Sequence, residues 1–211
     1  MITTKVCGVC RPRDATAAVA AGADAVGVIL APAGRQVSIE EAEAIFAVVP
    51  ADVARVAVFV DADPEFVREA TERLSLDYVQ FHGDESPADC EAAPAPVIKA
   101  FKVGSGFDAA VVEPYRRVIA FVMLDADVPG KAGGTGEPFD WEAVAPQLQG
   151  MPVIVAGGLH AENVAKAIDI LRPACVDVSG GVEARPREKD PEKLRAFCDA
   201  VRAANDKERT R

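Results

Sequence analysis

Short apolar runs rich in β-branched residues alternate along the chain with stretches whose hydrophobic positions recur at helical spacing. The runs cover residues 3–9, 25–30, 55–60, 77–81, 97–101, 118–124, 152–156 and 175–178. The helical stretches cover 13–21, 39–49, 64–74, 87–93, 107–115, 141–148, 161–171 and 191–204. Start signals support several of the helices. Ser38 precedes Ile39-Glu40-Glu41, which places acids in a first turn. Asp63-Pro64, Ser86-Pro87 and Asp190-Pro191 each set a capping residue before a proline at the first helical position. Gly22 stops the first helix after Ala20-Ala21.

Strand-then-helix units repeated eight times in 211 residues predict an α/β fold, a single parallel eight-stranded (β/α)8 TIM barrel. Continuous apolar runs suit strands buried on both faces. An open doubly wound sheet is the structural alternative. It ordinarily carries a G-x-G-x-x-G fingerprint after its first strand, and none follows Val9. No linker or composition shift marks a second domain, so one barrel domain is expected over residues 1–205. A polar, frayed tail is expected over 206–211.

The N-terminus enters a strand at once, without the basic-then-apolar pattern of a signal peptide. No run approaches the roughly 20 apolar residues of a membrane span. These patterns predict a cytoplasmic protein with no membrane partner. The net charge of −10 disfavours nucleic acid, whose phosphates require a basic face. The surface is acidic and Lys-poor, with 8 Lys against 15 Arg. That fits either plain solubility or a halophilic source. Five cysteines, at 7, 10, 90, 175 and 198, follow no disulfide framework, so reduced thiols are expected. Cys7 and Cys10 form a C-x-x-C, but a zinc site needs two more ligands and only His82 and His160 are on offer. No metal is expected.

A barrel of this kind works at the C-terminal ends of its strands. Chemistry-bearing residues stand there repeatedly: Cys7-Gly8, Arg35, His82, Asp125, Gly157-Gly158, and Asp177 with Ser179-Gly180-Gly181. Glycines after strands seven and eight let backbone N–H groups converge on a phosphate. They predict a phosphorylated small-molecule ligand. Asp125 ends an apolar run, where a partly desolvated carboxyl can serve as a general acid. Asp127, two residues on, competes for that role. The glycine-rich segment 126–138 reads as a lid or as a merely flexible loop. Arg35 suits a carboxylate or the open surface. His82 suits a substrate contact or a satisfied core position. Lys5, inside strand one, needs a partner if it points inward, and Asp177 on the neighbouring strand is a candidate.

Five motifs in order carry a resemblance: Lys5-Val6-Cys7-Gly8-Val9, Val79 to Glu85, Leu124-Asp125-Ala126, Gly133-Gly134-Thr135-Gly136 with Phe139-Asp140-Trp141, and Asp177 to Glu183. Together they resemble the phosphoribosylanthranilate isomerases of tryptophan biosynthesis. The resemblance spans about residues 3–204. It implies a cofactor-free Amadori rearrangement of N-(5-phosphoribosyl)anthranilate. On this chain Asp125 would be the general acid and Cys7, as thiolate, the base. Arg35 would hold the anthranilate carboxylate. Gly157, Gly158, Ser179 and Gly180 would hold the phosphate, and Asp177 would face the sugar. Three positions depart from the family pattern: Cys10, Gln36 and Gly180. Two rivals stay open at this point. A histidine-pathway isomerase performs the same chemistry with a carboxylate in place of Cys7. A non-catalytic phosphate-binding barrel would keep the glycines alone. Monomer and homodimer are both compatible with the sequence.

Overall fold

The computed structural model describes residues 2–126, 139–148 and 150–209. Eight parallel strands close into a barrel in chain order. They are β1 (Thr3–Val6), β2 (Ala25–Ile29), β3 (Ala54–Phe59), β4 (Tyr78–Phe81), β5 (Val97–Val103), β6 (Phe121–Ala126), β7 (Val153–Val155) and β8 (Cys175–Val178). The ring closes where β8 pairs with β1, with Lys5 opposite Asp177 and Val6 opposite Val178. Outside the strands run α1 (Pro12–Ala21), α2 (Ile39–Phe46), α3 (Pro64–Leu74), α4 (Pro87–Glu91), α5 (Trp141–Val144), α6 (Val164–Leu171) and α7 (Pro191–Arg209). No helix among the described residues is long and apolar enough to cross a membrane.

Two apolar layers hold the barrel. The larger lies between strands and helices and includes Val26, Phe59, Val79, Val155, Phe197 and Leu194. The smaller fills the barrel axis with Val56, Ile98, Ala100, Met123, Ile154, Ala156 and Cys175. Successive strand residues face opposite sides, so each axial residue fixes which positions farther along its strand reach the mouth.

The capping expectations hold. Ser38 accepts from the Glu41 N–H while the Glu41 carboxylate accepts from the Ser38 N–H. Ser86 and Asp89 repeat this reciprocal arrangement. Gly22 closes α1 in the left-handed region at φ 99°, where a Cβ would be strained.

Several boundaries differ from the sequence expectation. The helix expected over 107–115 is a 3-10 helix at Ala109–Tyr115 with Pro114 inside it; proline lacks the N–H that an α-helix needs there. Likewise α5 gives way after one turn to a 3-10 segment, Ala145–Gln147, at Pro146. Strand one ends at Val6 because Gly8 turns the chain at φ 65°. At the other end α7 runs to Arg209, past the predicted stop at Ala204 and into the segment expected to fray. Lys207, Glu208 and Arg209 are good helix formers and continue its register. A two-stranded hairpin that the sequence pattern did not show follows β8: β9 (Glu183–Arg185) pairs antiparallel with β10 (Glu188–Lys189). The lid expectation falls almost entirely on residues 127–138, outside the described residues, as does Asp127.

Candidate active site

The C-terminal mouth of the barrel encloses a cavity of about 730 Å³, within the usual range for small-molecule sites. Nine of the residues singled out from the sequence line it: Cys7, Arg35, His82, Asp125, Gly157, Gly158, Asp177, Ser179 and Gly180. The strands deliver them by period two. Lys5 is followed by Cys7, Gln80 by His82, Met123 by Asp125, and Cys175 by Asp177 and Ser179.

Cys7 is buried at the end of β1, its N–H donating to the Val178 carbonyl at 2.9 Å. Lys5 lies beneath it. The Lys5 ammonium donates to Asp177 Oδ1 at 2.8 Å, with the two side chains 1% and 9% exposed, so Asp177 is the partner that the inward lysine required. Breaking such a buried pair from one side costs about 3–5 kcal/mol. Burial alone would lower the Lys5 ammonium, but the nearby Asp177 and Cys7 and the hydrogen bond to Asp177 hold it above the ordinary lysine value. For Cys7 the balance runs the other way. Burial pushes the thiol up, Lys5 and Lys189 pull it down, Asp177 opposes them, and the thiol stays above its ordinary value. The neighbouring strand leaves room for the sulfur: a Cβ on Gly27 would stand 3.0 Å from Cys7 Sγ.

Cys10 does not share this surrounding. Its thiol lies within hydrogen-bonding reach of the Gly8 and Arg35 carbonyls, at 3.5 Å each. It lines a different cavity from Cys7.

Asp125 lies on β6 itself, half-buried. His82 Nε2 is 3.2 Å from Asp125 Oδ2, and Gln80 Nε2 is 3.1 Å from His82 Nδ1. An amide nitrogen only donates, so Nδ1 accepts and the Nε2 proton points at the carboxylate. His82 is thus both satisfied by the core and in contact with the acid. Beside it a buried pair fixes the β4 loop. Lys99 donates to the Gly83 carbonyl at 2.7 Å and to Glu85 Oε2 at 3.1 Å.

The glycine loops form one unit. Gly157 and Gly158 turn at φ 79° and 68°. A Cβ on Gly157 would meet the Ala126 nitrogen at 2.3 Å and Asp125 Oδ1 at 2.8 Å. One on Gly181 would meet the Leu159 carbonyl oxygen at 2.0 Å. Both loops therefore require glycine for close approach. After β8 comes a 3-10 helix, Gly180–Val182, whose first N–H groups have no partner within the helix itself. Ser179 Oγ is buried and has no hydrogen-bond partner among the described residues. Free N–H groups and a free hydroxyl at a helix start suit a phosphate.

On the β2–β3 side the wall is apolar, with Ile29, Ala31, Pro32, Val58 and Val60. Arg35 stands at its edge. It is not a free surface arginine: Nε and Nη2 each donate to Glu183, at 2.7 Å. Reading the sequence missed Glu183, Lys189, Gln80, Lys102 and Gly27 as parts of the site. Lys102 lines the mouth in register with Asp125. The period-two rule counted from Ala100 would have found it.

Comparison with known proteins agrees with this geometry. The family model described as N-(5'phosphoribosyl)anthranilate (PRA) isomerase matches residues 4–200. An N-(5'-phosphoribosyl)anthranilate isomerase of Pseudomonas fluorescens is 48% identical over 207 residues, covering 97% of this chain and 98% of its own length. The crystal structure of the Thermotoga maritima phosphoribosyl anthranilate isomerase superposes with a TM-score of 0.89 at 36% identity, covering 96% of this chain and all of that one. A second crystal structure of such an isomerase holds reduced 1-(o-carboxyphenylamino)-1-deoxyribulose 5-phosphate. It superposes at 0.86 with 35% identity and covers 96% of this chain and 100% of its own. With a matched model over nearly its whole length and relatives of this similarity, the chain belongs to the N-(5'-phosphoribosyl)anthranilate isomerase family.

Proposed function

We propose that this barrel converts N-(5'-phosphoribosyl)anthranilate to 1-(2-carboxyphenylamino)-1-deoxyribulose 5-phosphate, with Asp125 as general acid and Cys7 as general base. Family membership supports the reaction. One observation supports the roles. The phosphate-type loops of β7 and β8 lie between β6, which carries Asp125, and β1, which leads to Cys7. A sugar phosphate anchored in those loops has an acid on one flank and a base on the other, as an intramolecular proton transfer requires.

Asp125 gives its proton to the furanose ring oxygen. The C1–O bond breaks as the nitrogen lone pair forms an iminium at C1. Cys7 then takes the proton from C2, giving an enolamine that tautomerises to the C2 ketone. The iminium is adjacent to C2, so its positive charge reaches Cys7 when the thiolate is needed. That charge adds to those of Lys5 and Lys189 against the effect of burial. Ser179 with the N–H groups of Gly157, Gly158 and Gly180 holds the phosphate. Asp177, held by Lys5, faces the sugar. The anthranilate ring packs on Ile29, Val58 and Val60, with its carboxylate at Arg35. His82 steadies the acid. The chain works as one catalytic domain without a cofactor, in the cytoplasm, as a monomer or homodimer.

Complementation tests this reading. Wild type rescues a tryptophan auxotroph that lacks the isomerase, whereas Cys7→Ala and Asp125→Ala do not. Failure of wild type to rescue would sink the reaction; full rescue by both variants would sink the residue roles.

A further inference from the structure

Glu183 takes the Nε/Nη2 edge of Arg35 in two bonds of 2.7 Å. A guanidinium has five N–H donors on two usable edges. The bond to Glu183 therefore leaves the Nη1/Nη2 edge available, and Nη1 makes no hydrogen bond among the described residues. The Arg35 side chain is held in place from below as well. A Cβ on Gly8 would lie 2.6 Å from Arg35 Cδ, so the stem crosses directly over that glycine beside Cys7.

Glu183 is itself fixed. Lys189, opposite it in the hairpin, donates to Glu183 Oε1 at 3.3 Å and to the Ser179 carbonyl at 3.0 Å. Lys193 donates to the Glu183 carbonyl at 2.8 Å. The Glu183 and Lys189 side chains are 6% and 1% exposed, against 21% for Arg35. Burial would raise the Glu183 carboxyl, but Arg35 and Lys189 hold it below the ordinary value, so it is ionised. Two cations thus share one anion, and one positive charge is left over at the edge of the cavity. One incoming carboxylate would balance it.

We propose that Glu183, backed by Lys189, is a positioning residue that presents the free edge of Arg35 to the cavity and so sets the preference for a substrate bearing a carboxylate. The proposal rests on the reading that Arg35 holds the anthranilate carboxylate. It explains why an arginine suited to a ligand carboxylate is also bonded to a carboxylate of the protein. Glu183 does not compete with the ligand. It occupies the other edge and prevents the long side chain from rotating away.

Calorimetric titration with two ligands tests it: reduced 1-(o-carboxyphenylamino)-1-deoxyribulose 5-phosphate, and its phenylamino analogue without the carboxylate. Wild type prefers the first, and Arg35→Gln abolishes that preference. Glu183→Gln and Glu183→Asp each shrink it by roughly tenfold or more, while affinity for the phenylamino analogue stays near that of wild type. The aspartate keeps the charge but withdraws it by one methylene, so it guards against misfolding of the glutamine variant. If Arg35→Gln keeps the preference, the reading of Arg35 fails. If Arg35→Gln loses it while the folded Glu183 variants keep it, the positioning role is overturned and Arg35 stands. Equal weakening of both ligands in the Glu183 variants would make Glu183 a mere structural latch and also overturn the proposal.

Discussion

Cys7 has Lys5 and Lys189 near it, and yet its thiol is pushed above its ordinary value. Lys5 and Lys189 both favour the thiolate, but the end of β1 is buried and desolvation is the largest influence. Desolvation penalises the charged form, so the thiol titrates above its ordinary value and little base is present near neutrality before substrate arrives. The expected consequence is a kcat/KM profile, which reports the free enzyme, whose rising limb lies above the ordinary thiol value of about 8.5. The limb of kcat should lie lower, because the bound iminium adds a positive charge beside the sulfur. A kcat/KM limb below about 8.5 would mean a preformed thiolate and would contradict this account of Cys7. Cys10, three positions away in sequence, faces the Gly8 and Arg35 carbonyls and lines a separate cavity. Cys7 and Cys10 are both free thiols in this structure.

The strand ends carry the site because a strand exposes every second residue to the same side. Once Ile98, Ala100, Met123 and Cys175 are known to fill the axis, Lys102, Asp125 and Asp177 must face the mouth. That regularity made the eight strands, and the placing of Cys7, Asp125 and the glycine loops at one mouth, legible in the sequence. The pairing of Arg35 was not legible. Its partner sits in a hairpin of three-residue and two-residue strands, too short to show a period. Lys189 accordingly reads as an ordinary polar residue in sequence, although its side chain is 1% exposed. The two shortened helices were likewise hidden, since Pro114 and Pro146 broke patterns that were otherwise helical. The glycines of the mouth also shape it. Gly157 turns at φ 79° and its missing Cβ is what lets β6 and β7 close around Asp125. Gly157→Ala should cost about 1–3 kcal/mol of stability in a urea melt and lower kcat by about a hundredfold through displacement of the acid. An alanine variant with wild-type kcat would show that Asp125 does not depend on this contact.

The closed ring distributes the work over the whole molecule. The β7 and β8 loops gather groups that suit a phosphate, and β6 and β1 flank them with Asp125 and Cys7. The apolar wall of β2 and β3, with Arg35 at its edge, accommodates an aromatic acid. No single strand could place these groups on several sides of one small molecule; eight strands around an axis can. The same arrangement separates this site from a barrel that only holds phosphate, which would need neither Cys7 nor Asp125. The most direct measurement is steady-state turnover of purified enzyme on N-(5'-phosphoribosyl)anthranilate, followed by the loss of its fluorescence. Wild type should turn the substrate over, and kcat should fall by about 10²–10⁴-fold for Cys7→Ala and for Asp125→Ala, each variant remaining folded. Absence of turnover by wild type, or a folded variant that retains wild-type kcat, would contradict the proposed function.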